Sequence, residues 1–152
     1  MTDRIEITRD IAASPEDVYD AISDVTRMGE WSEECHSCEW HDGVDGPAVG
    51  AMFDGHNRAG DKEWTTQGKV IAAERGREFA FQCLSNGFHY STWGYTIEPA
   101  DGGSRVTEWT ENLIPEEFRA ASAQISGIED REQRNRDTIS GTLERLAAVL
   151  EA

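Results

Sequence analysis

Three acid–base side chains and one pair of cysteines are the residues here whose types and spacing could do chemistry. Glu108, His89 and Tyr95 fall in alternating, strand-like stretches. If Ile97 and Val106 face each other inside a hairpin, then Val106, Glu108, Thr110 and Asn112 share its inward face. His89, Ser91, Trp93, Tyr95 and Ile97 would share the inward face of the partner strand. A carboxyl group in an apolar interior is pushed toward a pKa at which it can give or take a proton near neutrality. With His89 as proton shuttle and Tyr95 as oxyanion donor, Glu108 could remove a proton beside a carbonyl, hold the enolate and deliver a proton to a leaving hydroxyl. Plainer readings stand beside this one. Glu108 could sit in a solvated hydrogen bond at the sheet end, and His89 at the rim beside the Ser85-Asn86-Gly87 turn. A register slip of one residue would turn Trp109 and Glu111 inward instead.

The cysteines form a C-x-x-C, Cys35 and Cys38, with His36 and His41 close by. On a strand, residues three apart point to opposite faces, and three extended residues span roughly 10 Å, beyond disulfide reach. A zinc site would need further ligands, and the chain offers Cys83, His56 and His89 singly, on separate strands. The expectation is one inward and one outward thiol, with neither metal nor internal disulfide.

The elements that must position these groups are legible in the pattern. Ile5 and Ile7 alternate with polar residues in a first strand over residues 4 to 11. Ser14-Pro15-Glu16-Asp17 starts a helix, with Ser14 as N-cap and Pro15 at the first position. A second short helix from Asp24 stops at Gly29. Turn signals then separate six strands of an antiparallel meander, near residues 34–40, 48–57, 62–73, 77–84, 88–98 and 104–113. A short helical segment spans Glu116 to Gln124, interrupted around Ser126-Gly127. From Glu129, Ile139, Leu143, Leu146 and Leu150 recur at helical spacing with Ala147 beside them. One curved sheet with one long amphipathic helix against its concave face leaves a space between them, where small ligands bind.

Composition narrows the function classes. A net charge of −16 repels nucleic acid and anionic membrane surfaces. No window approaches a membrane span and the N-terminus lacks an export signal, so a cytoplasmic protein of one domain, residues 1–152, is expected. It would be a monomer or homodimer, and no cofactor is called for.

The stretches SPEDVYDAISDVTRMGEWS, VGAMFDGHNRAG, AAERGREFAFQC and YTIEPADGGSRVTEWTE, followed by a helix, resemble the START-related SRPBCC superfamily. The likeness is to its polyketide cyclase/dehydrase and lipid-transport branch. The resemblance implies an α+β helix-grip fold, a seven-stranded curved antiparallel sheet around a long C-terminal helix, with two short helices between the first two strands. One departure is that Glu33 follows Trp31-Ser32 where relatives often carry proline. The implied function is binding of a small hydrophobic ligand, polyketide- or lipid-like, with a cofactor-independent aromatase/cyclase or dehydratase as alternative. A module with a filled cavity is a third. Trp31, Phe53, Trp64, Phe79, Phe81 and Trp93 would wall the cavity, although most could be core. Thr110 shares Glu108's face. Gly141, beside Ser140, is small where a filled core prefers leucine, which suggests open space beside the helix.

Overall fold

Alternating side chains give seven strands in the computed structural model, which describes residues 3–152. Met1 and Thr2, part of the expected 1–152 unit, lie outside the described residues. The strands are β1 (Asp3–Ile11), β2 (Cys35–Trp40), β3 (Met52–Ala59), β4 (Lys62–Glu74), β5 (Glu78–Ser85), β6 (Phe88–Ala100) and β7 (Gly103–Asn112). They form one antiparallel sheet in the order β1-β7-β6-β5-β4-β3-β2. Asn86 and Gly87, with φ of +51° and +81°, make the two-residue turn between β5 and β6. Positive φ at both central positions matches the twist of the flanking strands, and asparagine and glycine tolerate it best.

Between β1 and β2 lie α1 (Pro15–Ile22) and a 3₁₀ turn (Val25–Glu30). Ser14 caps α1 by accepting from the Asp17 amide at 3.1 Å, and Asp24 caps the turn by accepting from the Thr26 amide at 3.1 Å. After β7 a 3₁₀ turn (Glu116–Phe118) leads into α2 (Arg119–Ser126), which ends at Gly127, and then α3 (Arg131–Leu150). Asp130 caps α3 through the Gln133 amide, 3.1 Å away. This is the α+β helix-grip arrangement expected from the sequence.

The sheet bends where pairing slips. One extra residue enters β2 between Cys35 and Ser37, one enters β4 between Val70 and Ala72, and one enters β6 where Cys83 pairs with Ser91 but Leu84 with His89. Each bulge kinks its strand and increases the local twist.

Two stripes of α3 face inward. Ile139, Leu143, Leu146 and Ala147 are buried in the core that also holds Ile5 and Ile11 of β1 and Val106 of β7. Arg131, Asn135, Thr138 and Thr142, at spacings that share one helical face, line a cavity instead. Polar ties fix the helix there. Arg131 donates to both carboxylate oxygens of Glu34, at 3.0 and 2.8 Å, and Arg145 Nε donates to the Trp31 carbonyl at 2.8 Å.

Because Leu146 is fully buried, Leu146→Ala removes its packing and leaves a void. Denaturant unfolding is expected to give a loss of about 2 to 5 kcal/mol. A loss below about half a kcal/mol would mean the helix is not docked through this stripe.

Candidate functional site

The concave face of the sheet and the polar stripe of α3 enclose a cavity of about 620 Å³. Its wall is mainly apolar: Phe53 on β3, Trp64 on β4, Phe81 on β5 and Trp93 on β6, with Met28 from the 3₁₀ turn. Phe53 fits because Gly68, its partner across the β3–β4 pair, has no side chain, and a Cβ there would collide with the ring. The mouth is apolar as well. Phe88, Phe118 and Ile125 line it while remaining 51%, 57% and 61% exposed, an unusual state for large apolar residues around an opening.

Glu108 reaches this cavity from β7. The register pairs it with Tyr95 of β6 and Ile7 of β1. It is only 4% exposed, and its Oε1 has no hydrogen-bond partner within the protein. Burial pushes its carboxyl up to about 8, opposed only by the nearby Tyr95 hydroxyl. Tyr95 is raised well above its ordinary range, first by burial and then by Glu108. At neutral pH the site therefore holds a mostly protonated carboxylic acid beside a phenol, able to donate to a ligand oxygen or to exchange a proton with it. Thr138, at 4% exposure on α3, also lines the cavity and carries a second buried, unpartnered oxygen, Oγ1.

The structure separates the expected site residues into two groups. Phe53, Trp64, Phe81, Trp93, Tyr95 and Glu108 line the cavity. His89 does not: the bulge in β6 inserts Tyr90 between the paired positions, so Tyr90 lines the cavity and His89 Nε2 lies 2.8 Å from Thr92 Oγ1. Trp31 is buried core, with the Arg27 guanidinium 5.1 Å over its ring. Phe79 is fully buried and packs edge-on to Tyr19. Thr110 donates its hydroxyl to the Thr92 carbonyl at 2.9 Å, closing a strand contact rather than facing open space. Gly141 lies outside the cavity wall, and a Cβ there would meet the Arg145 guanidinium. The alternative register, with Trp109 and Glu111 inward, is not adopted. Trp109 lies over Gly94, with the Arg4 guanidinium 4.3 Å from its ring.

Sequence reasoning missed Tyr90 and the polar stripe. The Tyr90 hydroxyl lies 2.8 Å from Thr66 Oγ1, which accepts from Asn57 Nδ2 at 3.0 Å, so three polar groups are linked along one wall. No alternation rule finds Tyr90, because a bulge is what turns it inward. The stripe did leave a signal: Asn135, Thr138 and Thr142 are polar at spacings of three and four beside an apolar stripe.

The cysteine expectation is corrected. The bulge between Cys35 and Ser37 breaks the alternation, so both thiols turn inward, buried, with their sulfurs 3.1 Å apart. Among the described residues, no cluster of three or more His, Cys, Asp or Glu side chains could hold a metal ion. No helix among them is long and apolar enough to cross a membrane.

Comparison with known proteins adds a family. The family described as polyketide cyclase/dehydrase and lipid transport matches residues 2–151. The solution structure of a polyketide-cyclase-like protein from Corynebacterium glutamicum is 34% identical, with 99% of this chain and 90% of that one covered and a TM-score of 0.61. A crystal structure of a protein from Chromobacterium violaceum is 20% identical over 99% of both chains, with a TM-score of 0.72. A di-domain ARO/CYC protein of the steffimycin biosynthetic pathway is 14% identical, with 99% of this chain and 51% of that one covered and a TM-score of 0.76. The last two likenesses are of fold. Among curated proteins there was no match.

The buried carboxyl makes stability pH-dependent. Glu108 ionises near its ordinary 4.5 in the unfolded chain but only near 8 in the fold. The native state thus holds the extra proton between those values. Its stabilisation is full at low pH and declines as pH rises, by up to about 1.4 kcal/mol per unit. Urea unfolding at about pH 5.5 and about pH 7.5 is expected to show the wild type losing about 2 to 3 kcal/mol relative to Glu108→Gln. Parallel slopes for the two proteins would mean the carboxylate is ionised in the fold.

Proposed function

We propose, from the premise that this chain belongs to the polyketide cyclase/dehydrase and lipid transport family, that its cavity binds one small, largely apolar molecule. This ligand, polyketide- or lipid-like, carries a carbonyl or hydroxyl. The observation that carries the reading is an apolar cavity of about 620 Å³ lined by two residues, Glu108 and Thr138, that each carry a buried, unpartnered polar oxygen. The volume falls in the range of small-molecule sites. An unpartnered buried polar group costs about 1 to 3 kcal/mol. A ligand oxygen hydrogen-bonded to either one recovers part of that, so polar placement is coupled to apolar burial. The exposed apolar mouth of Phe88, Phe118 and Ile125 suits entry of such a molecule.

The second reading, a cyclase or dehydratase, is favoured by one specific feature, the elevation of Glu108 to about 8 beside Tyr95. A carboxyl titrating near neutrality serves as base in one step and acid in the next. Ionised Glu108 takes a proton from the carbon beside a ligand carbonyl while the Tyr95 hydroxyl donates to the developing enolate oxygen. Protonated Glu108 then returns the proton to a departing hydroxyl. His89 has no part, since it faces away from the cavity. The fold shared with ARO/CYC proteins is compatible with this chemistry and does not assign it.

Ser91 lines the cavity on β6, so Ser91→Phe narrows it. Binding of a fluorescent apolar probe is expected to weaken at least about tenfold at an unchanged unfolding midpoint. Unchanged affinity in the folded variant would remove the cavity reading. Glu108→Gln separates the two functions: a binding protein keeps probe affinity within a few-fold, whereas an enzyme loses about 10² to 10⁴-fold in turnover with binding retained.

A further inference from the structure

The C-x-x-C pair occupies a place that the ligand reading does not use. Cys35 and Cys38 both line the cavity. Their sulfurs are 3.1 Å apart, about 1 Å beyond a disulfide bond. The β2 bulge that brings them together lies on an edge strand, which pairs only with β3, so a small adjustment there disturbs one ladder. Opposite Cys38 stands Gly55, and a Cβ built on it would lie 3.5 Å from both sulfurs. The missing side chain leaves the sulfurs facing cavity space. Cys83, the third thiol, is on β5, and burial raises it to about 12, which makes it a poor nucleophile.

We infer that Cys35 and Cys38 are a redox-active dithiol in the cavity wall, which closes to a disulfide by exchange with a small, uncharged organic disulfide entering through the cavity. The site depends on the cavity reading only for its route of access. The Cys35 thiolate attacks one sulfur of the organic disulfide, forming a mixed disulfide and releasing one thiolate. Cys38 then loses its proton and attacks the Cys35 sulfur, expelling the second organic thiolate. The protein has given up two electrons and two protons, and the organic disulfide has become two thiols.

The first nucleophile in this scheme is Cys35, since the Cys38 S–H, 3.1 Å away, can donate to its thiolate. The hydrogen bond from Cys38 lowers its pKa, helped by backbone contacts at Ser37 and His56 and opposed by burial and by Glu34. Cys38 is raised, first by the same hydrogen bond and then by burial, with Glu39 and Cys83 adding to it. Its other sulfur neighbour is Met28 Sδ, at 3.8 Å, which carries no charge. The two sulfurs are hydrogen-bonded to each other, so a thiolate formed on Cys35 is stabilised by the Cys38 S–H, and the pair supplies one thiol to attack and one to resolve.

The test uses the folded, reduced chain and 2-hydroxyethyl disulfide, read by intact mass and peptide mapping. The wild type is expected to lose two hydrogens, retain no adduct and yield a 35–38 crosslink. Cys38→Ser should stop at a mixed disulfide on Cys35, Cys35→Ser should react at least about tenfold more slowly, and Cys83→Ser should behave as wild type. A persistent adduct in the wild type, a crosslink to Cys83, or reaction only after unfolding in urea would each overturn the inference. Saturating the cavity with the fluorescent apolar probe should slow exchange, and an unchanged rate with probe bound would refute the cavity route. Failure of the probe to bind would count against the ligand reading alone, since the crosslink is scored without it.

Discussion

The structure depends on one constraint: a single helix must both complete the core and leave a cavity open. α3 meets it with two adjacent stripes. Ile139, Leu143, Leu146 and Ala147 supply the burial that anchors the helix, together with the apolar residues of β1 and β7. Asn135, Thr138 and Thr142 face the open volume. If these were leucines, the hydrophobic effect would favour collapse onto the sheet and the cavity would fill. Polar side chains of modest size resist that collapse, and the Arg131–Glu34 ion pair with the Arg145–Trp31 hydrogen bond holds the helix in place at its flanks.

Sheet curvature is the complementary device. A flat sheet would meet the helix along a line and enclose nothing. The bulges in β2, β4 and β6 bend the sheet around the helix. They also choose which side chains enter the cavity, since an extra residue inverts the alternation on one side of it. Tyr90 replaces His89 for this reason, and Cys35 joins Cys38 for the same reason. Curvature and chemistry therefore share a cause.

The interior carries buried polar groups at a cost. Glu108 is buried without a cation, and the protein holds it protonated rather than compensating its charge. Thr138 Oγ1 is likewise unpartnered. Trp109 Nε1 and Arg134 Nε are also unpartnered but lie away from the cavity, so it is their place in its wall that makes Glu108 and Thr138 candidates for ligand contact.

The sequence by itself determined the order and type of the elements. Strand alternation, the Ser14-Pro15 helix start, the Asn86-Gly87 turn and the Ile139–Leu146 stripe are local signals, each set by a few neighbouring residues and the backbone's limited conformations. The inward register of β7, with Glu108 facing Tyr95, was legible because Ile97 and Val106 fix it within one hairpin. The membership of the cavity wall was decided only in three dimensions. Trp31, Phe79 and Thr110 are buried like the lining residues, and sequence cannot tell burial against protein from burial against empty space. Gly141 marked small volume, but the helix turns it toward Arg145 rather than the cavity. The places of His89, Tyr90, Cys35 and Cys38 followed from bulges, which arise from competition between the pairing registers of whole strands. No single residue encodes that competition, so only the assembled sheet resolves which side chains face the cavity.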